Sequence, residues 1–142
     1  MRIAEVMTRD VRVIDPERSV RDAARLMDHL NVGSLPVCDG ERLVGMITDR
    51  DIAVRGVAKG FAPDTPVSEL MTKDCITARE DDDVSTIASK MSEAQVRRLP
   101  VIDDQERLCG IVSLGDLSRD GDDQSASQAL AGVSQPGGQH RQ

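Results

Sequence analysis

The chain contains two copies of one sequence pattern, and this repeat constrains its fold more than any other feature. Met7-Thr8 recurs 64 positions later as Met71-Thr72. Leu35-Pro36-Val37 recurs at the same offset as Leu99-Pro100-Val101. One inserted residue after Asp103 then shifts the offset to 65, in a polar stretch where a change of loop length costs little. The fold must therefore consist of two similar halves, because self-similarity at a fixed period marks a repeat architecture.

Each copy predicts the element order β-α-β-β-α. Residues 11–14 and 75–77 are apolar enough for short first strands, and each is followed by a helix with one buried stripe. A hairpin then joins residues 35–38 and 43–48 through Asp39-Gly40, a dipeptide that favours a tight turn. The final helix begins near Asp49 in the first copy and near Leu114 in the second. The predicted core positions of the first helices are Val20, Ala23, Ala24, Met27 and Leu30, and Val84, Ile87, Ala88, Met91 and Ala94, with Ser19 and Asp83 as N-caps.

The predicted fold class is α/β (α+β), with two repeat units packed as one module. A single unit of this size is too small to bury its own sheet, so two packed copies are the natural minimum. We place the first motif at residues 1–60 and the second at 61–118. From residue 119 the composition shifts to Ser, Gln, Gly and Asp, and we predict a mostly disordered tail over residues 119–142.

Composition excludes several classes of function. The net charge of −7 would repel nucleic acid. No apolar run is long enough to span a membrane, and residues 1–10 lack the apolar core of a secretory signal, so we expect a cytoplasmic protein. Three isolated cysteines and two histidines offer little for a metal or catalytic cluster, and we predict neither. One Phe, no Tyr and no Trp leave almost no aromatic surface on which a base could stack.

These motifs resemble the CBS-motif family, in which two motifs form a pseudo-two-fold Bateman module. Within that family the chain is most similar to short proteins that carry two motifs and nothing else. The resemblance implies a regulatory module rather than an enzyme. The module would bind AMP, ADP, ATP or S-adenosylmethionine in a cleft between the motifs. It also implies a homodimer, and the signal would pass to a separate regulated protein. The matching segments are Val6–Thr8, Gly33–Val37, Leu43–Asp51, Leu70–Thr72, Arg98–Val101 and Leu108–Ser113.

The strongest candidate site is a Ser/Thr-x-x-Asp pattern that follows the last strand of each copy. It occurs as Thr48 to Asp51 and as Ser113 to Asp116. In the family this position serves the nucleotide, and a carboxylate can accept hydrogen bonds from two ribose hydroxyls. The same pattern is also a helix capping box, and it recurs at Ser19, where a core helix opens. Both roles remain open, and one residue can fill both.

Other candidates follow from the same resemblance. Arg50 is either a phosphate ligand, because a guanidinium grips phosphate bidentately, or a solvated surface charge. Gly33 and Ser34 either line an adenine pocket or form a simple turn. In the second copy Arg97 and Arg98 replace them, so we expect at most one well-formed adenosyl site, centred on Thr48 and Asp51. The candidate ligand-binding residues are Gly33, Ser34, Leu35, Pro36, Thr48, Arg50, Asp51, Arg98, Pro100, Ser113 and Asp116.

Two functional hypotheses remain. The first is a non-catalytic sensor whose adenosyl ligand changes its contacts with a second copy or a partner protein. The alternative is a CBS-fold interaction or dimerisation module that binds no nucleotide. The scarcity of aromatic residues and the Arg97-Arg98 pair favour the alternative, whereas the repeated Ser/Thr-x-x-Asp pattern favours the sensor.

Overall fold

The computed structural model describes residues 1–120, Ser127 and Leu130–Val133. The chain forms two compact units. The first unit contains Arg12–Cys75, and the second unit contains Met1–Val11 with the described residues from Ile76 onward. No helix of the described residues is both long and apolar enough to cross a membrane. The helices are α1 (Val20–Leu30), α2 (Val84–Ala94) and α3 (Leu114–Asp120), and the strands are β1 (Ser34–Asp39), β2 (Arg42–Thr48), β3 (Arg98–Ile102) and β4 (Leu108–Ser113). Shorter elements are a π-helical segment (Asp51–Gly56) and 3-10 turns at Ile3–Glu5, Val57–Lys59 and Val67–Glu69.

Both predicted hairpins are confirmed. β1 pairs antiparallel with β2, and β3 pairs antiparallel with β4. Gly40 closes the first hairpin with a φ of 64°, a left-handed conformation that a residue without a Cβ adopts at little cost. Each hairpin carries one register shift at the same point of the repeat, after Val37 and after Val101. The two copies therefore share even this irregularity.

The predicted N-caps are also confirmed. The Ser19 hydroxyl accepts a hydrogen bond from the Asp22 N–H at 3.1 Å, and the Asp83 carboxylate accepts one from the Ser85 N–H at 3.0 Å. These bonds satisfy amide donors that the first helical turn leaves unpaired. α1 and α2 each end at a residue in the left-handed conformation, Asn31 after α1 and Gln95 after α2.

The buried stripe of α1 is narrower than predicted. Val20, Ala23 and Met27 are buried, but Ala24 is exposed. Ala24 faces an open cavity whose other wall includes Phe61, and this cavity explains its exposure. Its counterpart in the second copy, Ala88, is fully buried. The same repeat position is therefore covered in one unit and open in the other.

The short first strands that we predicted at residues 11–14 and 75–77 do not form. Only Ile14 and, just beyond the second range, Ala78 make single parallel bridges to the neighbouring strand. The Ile14 N–H donates to the Pro36 carbonyl, and the Ala78 N–H donates to the Pro100 carbonyl. Both segments turn away directly afterwards, because the Asp15 and Asp82 side chains accept hydrogen bonds from backbone amides within the next turn.

The Met-Thr dipeptide of each copy pairs with a strand of the other copy. Thr72 exchanges two backbone hydrogen bonds with Met46 on β2, and Thr8 exchanges two with Ile111 on β4. Each compact unit thus combines the start of one repeat with the hairpin of the other. This exchange explains why the units divide the chain near residues 11 and 75.

Two repeat glycines make this pairing possible. A Cβ added at Gly45 would lie 2.7 Å from the Thr72 carbonyl oxygen, and a Cβ at Gly110 would lie 2.5 Å from that of Thr8. Real Cβ atoms do not approach backbone oxygens so closely. The Leu-x-Gly pattern therefore has a structural role, which is the close approach of the exchanged segment.

Part of the region that we predicted as a disordered tail, residues 119–142, lies within the described part of the chain. α3 runs to Asp120, and Ser127 and Leu130–Val133 are helical. Gly132 lies directly against Ser92 of α2, since an added Cβ would overlap the Ser92 side chain and backbone. Val133 is buried. The remaining tail residues lie outside the described part of the chain, so the disordered tail stays a prediction.

Each unit has its own aliphatic core. Leu35, Val37 and Ile47 of the first hairpin pack with α1 in one unit, and Leu99, Val101 and Val112 of the second hairpin pack with α2 in the other. The large buried side chains of both cores are Ile, Leu, Met and Val.

Candidate ligand-binding site

Thr48 and Asp51 form a reciprocal pair at the end of β2. The Asp51 carboxylate accepts a hydrogen bond from the Thr48 N–H at 3.0 Å, and the Thr48 hydroxyl accepts one from the Asp51 N–H at 3.0 Å. Both residues are buried. This geometry is that of a capping box. The capping role that we left open is therefore real, and any ligand role must be compatible with it.

Asp51 is a buried carboxylate with one cationic neighbour. The Arg55 guanidinium lies 3.6 Å from its Oδ1 atom, one helical turn away. Burial raises the pKa of Asp51, and the hydrogen bonds from Thr48 and the charge of Arg55 offset only part of that shift. We did not predict Arg55 as a site residue. Its spacing of four residues from Asp51 was the available signal.

The second copy repeats the pair. The Asp116 carboxylate accepts a hydrogen bond from the Ser113 N–H at 2.8 Å, and the Ser113 hydroxyl accepts one from the Asp116 N–H at 3.1 Å. Asp116 is buried, and Ser113 is half-buried. In the repeat alignment Asp120 stands where the first copy has Arg55.

Ser34 lies beside Thr48, because the two residues are paired across the β1–β2 hairpin. Its side chain is buried, and its hydroxyl has no hydrogen-bond partner among the described residues. A buried hydroxyl without a partner costs about 1–3 kcal/mol. Ser34 is therefore a polar group that a bound molecule could satisfy.

Gly33 has a local structural requirement. Its carbonyl accepts a hydrogen bond from the Asp49 N–H, and an added Cβ would lie 3.1 Å from the Asp49 Oδ2 atom. The second copy has Arg97 at this position, and its carbonyl accepts the N–H of Leu114, the counterpart of Asp49. The backbone bond is thus conserved between copies, while the side chain above it differs.

The other predicted ligand-binding residues separate into core and surface. Leu35 packs in the core of its unit, and the carbonyl groups of Pro36 and Pro100 hold the preceding chain segments. Arg50 is exposed. The first copy therefore brings Ser34, Thr48 and Asp51 together, and Arg50 lies at the surface.

A cavity of about 660 Å³ lies in the second unit at the matching repeat positions. Arg97, Arg98 and Ser113 line it, together with Ser127 and Leu130 of the C-terminal segment. No hydrogen bond or ion pair joins either guanidinium to another described side chain. The two arginines that replace Gly33 and Ser34 thus border an open space.

Two further cavities lie in the first unit, away from Thr48. One, of about 370 Å³, lies between α1 and the π-helical segment and includes Ala24, Ile52 and Phe61. The other, of about 900 Å³, includes Arg55 and Lys73. The first of these is bordered mainly by apolar side chains.

The cysteines are free thiols. Cys38 is buried, and burial together with the nearby Cys75 thiol raises its pKa to about 11. Burial is also the largest cause of the raised pKa values of Cys75 and Cys109. A raised pKa disfavours the reactive thiolate, so these residues are poor nucleophiles at neutral pH.

Comparison with known proteins gives consistent matches over most of the chain. The profile of the CBS domain matches residues 3–56 and 67–121. The CBS domain-containing protein YhcV of Bacillus subtilis is 39% identical over 133 residues, which cover 93% of this chain and 94% of that protein. The solved CBS domain pair of protein MJ0100, in complex with 5'-methylthioadenosine and S-adenosyl-L-methionine, is 33% identical with a TM-score of 0.75 and covers 84% of this chain and 94% of its own. The structure of CBSX2 in complex with AMP is 30% identical with a TM-score of 0.75 and covers 83% of this chain and 93% of its own.

Proposed function

Because the chain belongs to the CBS-domain family, we propose that it is a non-catalytic regulatory module that binds an adenosyl ligand at Ser34, Thr48 and Asp51. The ligand class is an adenine nucleotide or S-adenosylmethionine. Two structures similar to this chain are complexes with AMP and with S-adenosyl-L-methionine. Their identity to this chain, at 30% and 33%, supports the transfer of the ligand class.

The observation that carries this proposal is the unpartnered Ser34 hydroxyl. It is buried beside a reciprocal Thr48–Asp51 pair, where a ligand hydroxyl or ring nitrogen would supply the missing hydrogen bond. A buried polar group without a partner is uncommon in folded proteins, and a bound molecule is one explanation for it. In the second copy the residue at this position is Arg98, so the argument applies to the first copy alone.

Asp51 retains acceptor capacity for the same ligand. Its two oxygens offer about four lone-pair sites. One hydrogen bond from Thr48 and one contact with Arg55 occupy part of that capacity. Ribose hydroxyls can therefore be accepted while the capping bond persists, so that capping and binding coexist in one residue.

Thermal unfolding with AMP, ADP, ATP and S-adenosylmethionine tests the proposal. A ligand at about 100 times its dissociation constant should stabilise the protein by about 2.7 kcal/mol, a shift of several degrees in the melting temperature.

The decisive variant is Ser34→Ala. Without ligand it should be as stable as the parent or more stable, since it removes an unsatisfied buried hydroxyl. With ligand it should lose affinity by about tenfold, or roughly 1.4 kcal/mol.

Thr72→Val is the matched control. The Thr72 hydroxyl is also buried without a partner in the same unit, but it lies beside Met46 rather than Thr48. This variant should leave every ligand-induced shift unchanged. An equal ligand shift in the parent and in Ser34→Ala, for each of the four compounds, would refute the proposed site.

The second candidate function is dimerisation without a nucleotide, and one surface favours it. Val57 and Phe61 are exposed apolar residues that line the cavity beside α1, and Val54 of the π-helical segment is also exposed. The same cavity is bordered by Arg21, Arg25 and Asp28. In a dimer with a two-fold axis, the same surface of both copies is in contact and runs in opposite directions. The arginines of one copy could then pair with Asp28 of the other. We take a second copy of this chain as the occupant of this surface.

Light scattering of Val57→Asp tests this candidate. Val57 is 73% exposed, so the substitution costs little stability in the monomer but places a charge in the apolar contact. We expect the parent to be a dimer and the variant to be a monomer. Ala58→Asp, at the adjacent exposed position, should remain a dimer. A parent that is monomeric at high concentration would exclude this function.

A further inference from the structure

The matching faces of the two core helices differ in charge and in burial. Four equivalent positions are spaced so that they share one side of each helix. They are Arg21, Ala24, Arg25 and Asp28 on α1, and Ser85, Ala88, Ser89 and Ser92 on α2. All four α1 residues are exposed, whereas on α2 Ala88 is buried and Ser89 and Ser92 are half-buried. The α2 face is therefore uncharged and more covered than its counterpart.

The C-terminal helical segment Leu130–Val133 lies on this α2 face. Gly132 is in direct contact with Ser92, because an added Cβ would overlap the side chain and the backbone of Ser92. Such a close approach requires a residue without a side chain. Val133 is 1% exposed, whereas Leu130 and Ala131 are exposed. The segment thus packs one side against its own unit.

The sequence of this segment suits the α2 face rather than the α1 face. Residues 124–139 contain no charged side chain. Such a segment can cover small, uncharged residues without removing an ionised group from water. On α1 it would cover Arg21, Arg25 and Asp28 and offer none of them an opposite charge. The two copies therefore differ in which of their helices the C-terminal segment can cover.

We infer that the C-terminal segment Leu130–Val133 covers the α2 face and so prevents this face from binding a second copy of the chain. The face already accepts a helix at close range, and its serine and alanine side chains leave room for the α2 helix of a second copy. A two-fold axis would bring the same face of both copies together, and no like charges would meet there. This inference is independent of the ligand site at Ser34 and of the first-unit surface at Val57.

The test uses the full chain with Val57→Asp, which blocks the first-unit surface. In this background Val133→Asp should displace the segment, because an ionised carboxylate is too costly to bury there. The mass measured by light scattering should then double. Gly132→Val should have the same effect without a charge, since its side chain would overlap Ser92. The controls Ala131→Asp and Ala131→Val make the same changes at the adjacent exposed position and should leave the mass unchanged.

A further substitution on α2 shows whether the new contact uses this face. Ser92→Asp installs the residue that α1 has at this position, Asp28. Added to Val133→Asp, it should return the mass to that of the background, because like charges would meet across the two-fold axis. Thr86→Asp, at an exposed position outside this face, should not. Equal masses for Val133→Asp with and without Ser92→Asp would overturn the inference.

A thiol introduced by Ser92→Cys reports directly on the cover. In dilute protein its reaction with iodoacetamide, followed by mass spectrometry of the peptide, should become several-fold faster with Val133→Asp and stay unchanged with Ala131→Asp. Equal rates would show that the segment does not cover α2. A faster reaction without a rise in mass would show that the uncovered face does not bind a second copy, and either result would overturn the inference. Urea unfolding should remain cooperative in Val133→Asp, and association that accompanies a loss of cooperative unfolding would also count against it.

Discussion

Replacement of Asp51 by alanine tests the double role of this residue as a cap and as a ligand. The side chain accepts the Thr48 N–H and contacts Arg55. In Asp51→Ala both interactions are lost, but the Thr48 hydroxyl can still accept the N–H of residue 51. The main loss is therefore the acceptor for one buried amide.

The expected destabilisation is about 2 kcal/mol. A buried amide left without an acceptor costs about 1–3 kcal/mol, and loss of a capping side chain typically costs about 1 kcal/mol. These contributions overlap, because both describe the same Thr48 bond. Removal of a buried charge offsets part of the cost, since burial raises the pKa of Asp51 and so disfavours its ionised form. For a chain of this length, about 2 kcal/mol lowers the melting temperature by about 4–8 °C.

The effect should depend on pH in a defined direction. Asp51 has a raised pKa in the folded state, so the folded protein binds more protons than the unfolded chain above the ordinary Asp value of 3.8. The stability that protonation contributes is complete below that value and is lost as the pH rises through the folded pKa. The parent should therefore gain stability over Asp51→Ala as the pH falls from 7 toward 4.

Urea unfolding followed by circular dichroism at several pH values measures this difference. Asp51→Asn is the matched variant, because its amide oxygen can still accept the Thr48 N–H and it carries no charge. It should be more stable than Asp51→Ala at pH 7, and its difference from Asp51→Ala should not vary with pH. A difference below about 0.5 kcal/mol between the parent and Asp51→Ala, the level of an ordinary surface substitution, would refute the capping argument.

Two further predictions follow from the packing. Gly45→Ala should lower the free energy of unfolding by about 2 kcal/mol, because its Cβ would lie 2.7 Å from the Thr72 carbonyl oxygen. Gly115→Ala is the control, because its Cβ would lie 3.5 Å from the nearest atom, and it should cost no stability in the same denaturant experiment. Equal costs for the two variants would contradict the close approach at Gly45. Cys38, with a thiol pKa of about 11, should react with iodoacetamide at pH 8 several-fold more slowly than the less buried Cys109. Mass spectrometry of each cysteine-containing peptide measures the two rates. Equal rates would show that the buried Cys38 thiol is accessible.

The elements with local signals were predictable from the sequence. The Asp39-Gly40 turn, the Ser19 cap and the stripe of α1 each depend on residues a few positions apart, and the structure confirms the hairpin and the cap. The resemblance of the repeated motifs to CBS motifs is confirmed by the family match. The exposure of Ala24 was missed because it depends on the residues that pack against that side of α1. The periodicity of one helix does not show which residues these are.

The exchange between the copies was not predictable in this way. Thr8 and Thr72 are each far in sequence from the strands that they pair with. The same reason explains the two absent first strands, since Ile14 and Ala78 each form only one bridge before the chain turns. Whether an extended segment becomes a strand depends on how much of a partner it meets. The glycine of the Leu-x-Gly pattern indicates that another segment approaches the strand closely, but only the structure shows which segment this is.

The candidate site shows why a motif alone could not separate capping from binding. Thr48 and Asp51 satisfy each other in the manner of a capping box, so the pattern is complete without a ligand. The buried Ser34 hydroxyl beside them has no partner among the described residues, and its isolation depends on the surrounding fold rather than on its sequence. In the second copy Arg98 occupies that position and borders a cavity with the C-terminal segment. The hydrogen-bonded frame is thus common to both copies, while the side chain at the position of Ser34 differs between them. Under the proposed function, the Ser34 and Thr48 hydroxyls and the Asp51 carboxylate should therefore select the nucleoside part of the ligand in the first unit, and the second unit, which has Arg98 in place of Ser34, should not.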